Sequence, residues 1–201
     1  MVWGAWFLTG HGALSTAWLV AGWFGWSGVL TALAWPAIVF AFLATAYTGF
    51  LFAQGLGRDL WQGPHAAIDL VAQSGATGAA SLLLASLVVG AGVGPLRPLL
   101  GWILAGSLLL HVLILLFENV LSPSPTRHHE LAVQTIRRGA YAPLFWGVAI
   151  GGGGILPLAA IVGMGPAAPV AVTITASLLA LAGGAAWEYI WVEAGQSVPL
   201  S

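Results

Sequence analysis

No Asp, Glu, Lys or Arg occurs in this sequence before Arg58. A chain that runs so far without charge cannot cover a water-facing surface, and the remainder continues in the same manner. Its 201 residues hold 5 Lys+Arg and 6 Asp+Glu, which makes it 5% charged and 59% hydrophobic. A soluble domain carries roughly 25% charged residues. The sequence therefore reads as an all-α integral membrane protein. At about 20 apolar residues per crossing, it has room for six spans in a bundle with short loops. A net charge of −1 and the lack of a basic cluster exclude nucleic acid as a partner. Cysteine is absent, so the chain offers no disulfide, no thiolate metal site and no ligands for an iron–sulfur cluster. The first apolar run is too long, and lacks the basic start, for a cleavable signal peptide.

The expected spans run from about Trp3 to Trp23, Val29 to Gln54, Ile68 to Ala91, Pro98 to Leu121, Ala142 to Val162 and Pro169 to Trp191. Pro36 is expected to kink the second. The third opens on Asp69, and residues four apart share a helix face, so Asp69, Gln73 and Thr77 form a polar stripe. A Gly-Val-Gly-Pro turn over 92–95 leads to the fourth span. The fifth is expected to be interrupted by Gly151 to Gly154 and Pro157. Two polar stretches stand out, the helix exit from Ala46 to Pro64 and the loop from Ser122 to Arg138. The spacing of Leu131, Thr135 and Ile136 in that loop suits a helix along the membrane surface. Many of the 11 Trp fall near span ends, as in aromatic belts. Six spans put both termini on one side together with Arg58, Arg127, Arg137 and Arg138, and leave Arg97 on the other.

Ionisable groups inside spans are costly and mark function. The candidates are His11, Asp69, His111 and Glu118. His111 and Glu118 are seven apart, on one face of the fourth helix two turns from each other, as a relay handing protons between water and the interior would need. At 1.5 Å per residue, His11 and His111 both lie about 12–14 Å in from the same side. Two histidines at matched depth fit the alternative of a b-type haem. The Tyr47 phenol can hydrogen-bond a quinone carbonyl or act as an interfacial anchor. Arg58 and Asp59 read as a solvated helix end, and His128, His129 and Glu130 as a solvated patch. The run Gly151–Gly154 reads as a packing surface or a local break. A small transporter, with a broken fifth helix and a polar third helix lining a path, is a further alternative.

Several pieces of the sequence together resemble one family. Ala-Tyr-Thr-Gly-Phe-Leu (Ala46 to Leu51), then Asp-Leu-Trp-Gln-Gly-Pro (Asp59 to Pro64), is similar to the Tyr-x-Gly helix end and Leu-Trp-x-x-Pro loop of NrfD/PsrC-like membrane subunits of polysulfide-reductase-type complexes. The small-residue helix Ser74 to Ala79, Glu118, Gly139-Ala140-Tyr141, Phe145-Trp146-Gly147 and Leu156-Pro157 follow in that family's order. The opening Met1-Val2-Trp3-Gly4-Ala5-Trp6 looks like the start of its third helix. The resemblance covers nearly the whole chain, read as a single NrfD-like transmembrane domain over residues 1–201. It implies an architecture of eight or more helices of which the first two are lacking here, with Met1 matching an internal methionine.

The resemblance further implies a non-catalytic, haem-free subunit in the cell (inner) membrane. Such a subunit exchanges electrons between the quinone pool and a ferredoxin-like iron–sulfur subunit, itself joined to a molybdopterin catalytic subunit. It would hold quinone or quinol exchangeably and no covalent cofactor. On this reading Tyr47 and Trp61 are candidate quinone contacts, Asp69, His111 and Glu118 a candidate path for proton translocation, and Arg58 and Asp59 candidate docking residues. The resemblance puts the docking side outside the cytoplasm, whereas the arginine distribution puts the same loops inside, so the orientation stays open.

Overall fold

The computed structural model describes residues 2–55, 57–63, 65–89, 95–165 and 168–198. Met1, Pro64 and most of the 92–95 turn lie outside the described residues. Long apolar runs punctuated by Gly, Pro and short polar loops give helices and, among the described residues, no strand. They are α1 (Val2–Trp23), α2 (Ser27–Ala53), a short turn of helix at Asp59–Gln62, α3 (Ala66–Val89), α4 (Arg97–Leu121), α5 (Arg127–Arg137), α6 (Leu144–Met164) and α7 (Val170–Gln196).

Among the described residues five helices are long and apolar enough to cross a membrane: α2, α3, α4, α6 and α7. Of the six expected spans, α1 is the exception. It has 22 residues, but Gly, Thr, Ser and His11 dilute its apolar character. It pairs with α2 through the tight turn at Phe24–Trp26, and the resulting hairpin leans on α3. Pro36 lies inside α2, which continues on both sides of it.

Two departures from ordinary α-winding shape the bundle. The last turn of α4, Phe117–Leu121, is π-wound: the Ser122 N–H donates to the Phe117 carbonyl at 2.7 Å, five residues back. The first half of α6, Leu144–Ile155, is wound the same way. That corrects the expected interruption, because Gly151–Gly154 does not break the helix. The wider turn brings carbonyls five residues back under each Cα, where a Cβ at Gly151 would sit 2.9 Å from the Trp146 oxygen. On its other side the run meets α7, and Gly153 and Gly183 touch backbone to backbone where no Cβ fits. With α6 continuous, the transporter alternative loses the broken helix it rested on.

The core falls into two apolar layers. Near the α5 end, Leu60, Leu115, Ile136, Phe145, Trp187 and Ile190 pack together. Toward the far end the layer is rich in alanine, with Ala76, Ala80, Leu104, Leu108, Ala176 and Ala180. Between these layers the buried residues include the polar side chains Asp69 and Gln73 on α3 and His111 on α4, with Gly183 on α7, and these make up a polar layer. Helix α5 is strongly amphipathic and capped by Thr126, whose hydroxyl accepts from the His129 N–H at 3.1 Å. Its apolar residues Ala132, Val133 and Ile136 are buried in the first layer, so α5 closes one end of the bundle instead of resting on lipid. Arg58 and α5 share that end, and Arg97 starts α4 at the opposite one, as the sequence predicts.

Candidate functional site

Asp69 and His111 lie in the polar layer, 6% and 5% exposed. Asp69 sits in the first turn of α3, and one of its carboxylate oxygens is 2.5 Å from the His111 Nδ1 on α4. Its other oxygen accepts from Gln73 Nε2 at 2.9 Å and from Trp187 Nε1 at 3.2 Å. Three donors from α3, α4 and α7 thus converge on one buried carboxylate. An isolated ion here would be very costly, and this donor set is what makes a carboxylate tolerable away from water. With Asp69 ionised, the His111 Nδ1 carries the proton and donates it, and His111 also borders a cavity of about 10 Å³ lined by Gln73, Thr77, Gly153 and Gly183.

Glu118 lies in the π-wound end of α4 and accepts from His65 Nδ1 at 3.0 Å. Both line an open vestibule of about 390 Å³, bordered also by Asp59, Gly63, Thr126 and His129. Between this vestibule and the buried pair lies a small cavity lined by Asp69, Gln73, Glu118, Trp187 and Trp191. It holds about 10 Å³, room for a single water centre. From the solvent side inward the order is vestibule, Glu118, a water-sized gap, Asp69, His111 and a second water-sized gap.

The structure thus brings the three expected path residues together, in an order the sequence did not give. His111 and Glu118 border different cavities at the two ends of this series. Asp69, from α3, stands between them. His65 and Trp187 are additional members. Glu188 is half-buried on α7, next to Trp187 in the chain. The signal for His65 was an imidazole in the polar exit, and for Glu188 a lone carboxylate inside the last apolar run.

The vestibule rim is tied together. Thr126 Oγ1 donates to an Asp59 carboxylate oxygen, and the same hydroxyl caps α5. The His129 ring is partly withdrawn from water, which pushes its pKa below the ordinary 6.5, while the nearby Asp59 pulls it back up. Its Nδ1 is buried without a partner. Arg127 pairs with Glu130 at 3.0 Å, and among the described residues no three His, Asp or Glu side chains converge as a metal site.

The remaining expected residues lie elsewhere. Arg58 is not merely solvated: its guanidinium donates to the carbonyls of Gly195, Gln196 and Val198 at 3.1, 3.2 and 3.0 Å, closing the carboxyl end of α7. Trp61 Nε1 donates to the Trp191 carbonyl at 3.2 Å, with the ring against Phe52 and Gly195. Tyr47 packs beneath Gly4 and edge-on to Phe7, its hydroxyl buried without a partner among the described residues. His11 lines a groove of about 340 Å³ between α1, α2 and α3, together with Thr45, Thr48 and Ser74. His11 and His111 border different cavities, so the haem alternative has no shared space among the described residues.

Against known families, the model of the polysulphide reductase NrfD family matches residues 1–199 of the chain. No curated protein and no solved structure matches it.

Proposed function

Because the chain belongs to the NrfD family of multi-pass membrane subunits of oxidoreductase complexes, we propose that it exchanges electrons between the quinone pool and an iron–sulfur partner subunit, with proton movement through its own interior. The observation that carries this reading is the buried Asp69–His111 pair joined to an open vestibule at Glu118 through a cavity the size of one water. Oxidising a quinol releases two electrons and two protons. The electrons pass to the partner's clusters, since this chain has no cysteine to hold any. The protons need a line of groups that can hold and release them in the membrane, which is what Glu118, Asp69 and His111 supply.

Tyr47 is the proposed head-group contact, because its buried hydroxyl has no partner among the described residues and a quinone carbonyl would complete it. Trp61 supplies an aromatic wall instead of a donor, its N–H being already engaged. The partner subunit, and through it a molybdopterin catalytic subunit, docks on the end formed by Asp59–Gln62 and α5, where Asp59 and the exposed Arg127 offer charge. Arg58 serves this surface indirectly, by holding the end of α7 in place.

Membrane vesicles containing the assembled complex test the reading. Quinol addition reduces the partner's clusters in the wild type, and Tyr47→Phe slows that reduction at least several-fold. Unchanged rates in that variant remove Tyr47 from the mechanism. Absence of quinol-linked reduction in an intact wild-type complex removes the function itself.

A further inference from the structure

The groove between α1, α2 and α3 has no part in the path through Asp69, yet it holds polar groups that lipid cannot satisfy. It encloses about 340 Å³, within the range of small-molecule sites at roughly 300–1,000 Å³. His11 lines it, and its ring meets no hydrogen-bonding group among the described residues, with Nδ1 buried. Ser74 lines it too, its hydroxyl equally without a partner among the described residues. Thr45 and Thr48 complete the polar lining. Their hydroxyls donate to the Ala41 and Ala44 carbonyls at 2.9 and 3.1 Å, so they have only lone pairs left to offer. Polar groups left unpaired at membrane depth are costly and call for a partner.

Depth and charge narrow the ligand. At 1.5 Å per residue, His11 lies about 14 Å from the start of α1, Thr45 about 12 Å from the end of α2 and Ser74 about 12 Å from the start of α3. Those helix ends adjoin, since Tyr47 packs under Gly4 and Gly49 lies against Ala67, so the three polar groups stand at one level. That level is near the middle of a hydrocarbon core about 30 Å thick. Leu8 and Ser74 are exposed, so the groove opens on the outer surface of the bundle, toward lipid. No Asp, Glu, Lys or Arg lines it, so it offers no counter-ion to a phosphate or an ammonium head group. We propose that this groove is a binding site for an uncharged, membrane-dissolved carbonyl compound. Its oxygen atoms accept hydrogen bonds from His11 and Ser74, and its apolar body lies along Leu8 and Leu70. A neutral imidazole carries one N–H and a serine hydroxyl one O–H, so the groove supplies two donors. Quinone rings and the esters of neutral glycerolipids both present such oxygens. Tyr47 is not among the lining residues, so this site is separate from the proposed head-group contact.

The test is photolabelling of the complex in membrane vesicles with an azido-substituted quinone, read by peptide mass spectrometry. The adduct is expected on residues 8–11, 41–48 or 70–74, which line the groove. His11→Leu and Ser74→Ala are each expected to lower it at least several-fold, whereas His11→Gln, which keeps a donor, retains most of it. If His11→Leu fails to assemble, Ser74→Ala decides. Excess unlabelled quinone and excess diacylglycerol are the competitors, and the one that suppresses the adduct identifies the source of the carbonyl. An adduct that neither suppresses, one indifferent to both His11→Leu and Ser74→Ala, or none on these segments overturns the inference. Tyr47→Phe is expected to leave the adduct unchanged, and an equal fall there would overturn the groove as a separate site. Labelling does not depend on electron transfer, so failure of the quinol-linked reaction strikes the functional proposal and leaves this result to stand on its own.

Discussion

Asp69 and Glu118 line the same cavity of about 10 Å³, although they belong to different helices and hydrogen-bond to different histidines. The gap admits one water and no more. That makes Glu118 the only carboxylate among the described residues to border both the vestibule and the water-sized gap inside it. Glu118→Gln keeps the shape and removes the ionisable group. In vesicles with the assembled complex it is expected to cut proton uptake or release per turnover at least about tenfold, a barrier rise of about 1.4 kcal/mol. Electron transfer measured with an uncoupler present should change far less. A pH-electrode trace matching wild type would exclude Glu118 from the path.

The Asp69–His111 contact makes a stability prediction of its own. Removing one partner of a buried, hydrogen-bonded pair strands the other, at a cost of about 3–5 kcal/mol. His111→Leu should therefore lower the unfolding midpoint in detergent markedly. The double variant Asp69→Leu/His111→Leu should recover part of the loss, because neither member of the pair is left stranded, while Gln73 Nε2 and Trp187 Nε1 still lose their acceptor. Additive losses in a double-mutant cycle would mean that the two side chains act independently.

How much of this was legible in the sequence follows from the range over which each feature is determined. The spans were legible because each is a local apolar run. Even Asp69, Gln73 and Thr77 could be placed on one face from spacing alone, and Gln73 does bond Asp69. What spacing could not supply is helix rotation and winding. Nothing in the Gly151–Gly154 run announces hydrogen bonds five residues back, so it read as an interruption when it is a continuous helix with its bare face against Gly183. Nor could spacing show that Asp69, from α3, lines one cavity with Glu118 while bonding His111. Arg58 read as solvated because its three carbonyl partners come from the far end of the chain. The Tyr47 and Trp61 neighbourhoods were equally invisible, since both are set by the α1–α2 and α2–α7 contacts.

The Gly153–Gly183 crossing sets the distance between α6 and α7. A Cβ on either residue would overlap the other's backbone, and backbone cannot yield as a side chain does. Gly153→Ala is expected to destabilise by about 1–3 kcal/mol, the usual cost of overpacking. Gly147→Ala in the same helix, where a Cβ meets open space, should be nearly neutral. Equal midpoints for the two variants in a thermal unfolding assay would show that α6 and α7 do not pack at this crossing.

Arg58 closes α7 with three charge-assisted hydrogen bonds to the carbonyls of Gly195, Gln196 and Val198. Arg58→Ala should cost about 1–3 kcal/mol and loosen the last turn of α7. Lysine keeps the charge but not the planar fork, so Arg58→Lys should recover only part. Hydrogen exchange of the amides near Gln196 reports this directly: faster exchange in Arg58→Ala and intermediate exchange in Arg58→Lys are expected. Identical exchange in all three proteins would mean that the latch does not hold in the membrane.

His129 ties the vestibule rim to pH. Burial lowers its pKa below 6.5 in the folded protein, outweighing the opposite pull of Asp59. A depressed folded value means that the unfolded chain binds the proton more readily. The neutral ring's contribution is thus fully present above pH 6.5 and declines as the pH falls toward the folded value. The ring is half-exposed, so the effect is small, under about 1 kcal/mol after solvent screening. It should still be visible locally, because Thr126 couples the start of α5 to Asp59. Proteolysis between Ser122 and Arg127 is expected to speed up between pH 7.5 and 5.5 in the wild type, and to speed up less in His129→Gln, which cannot be charged. Equal acceleration in both proteins would assign the acid sensitivity to another group on the rim, with His65 the next to test.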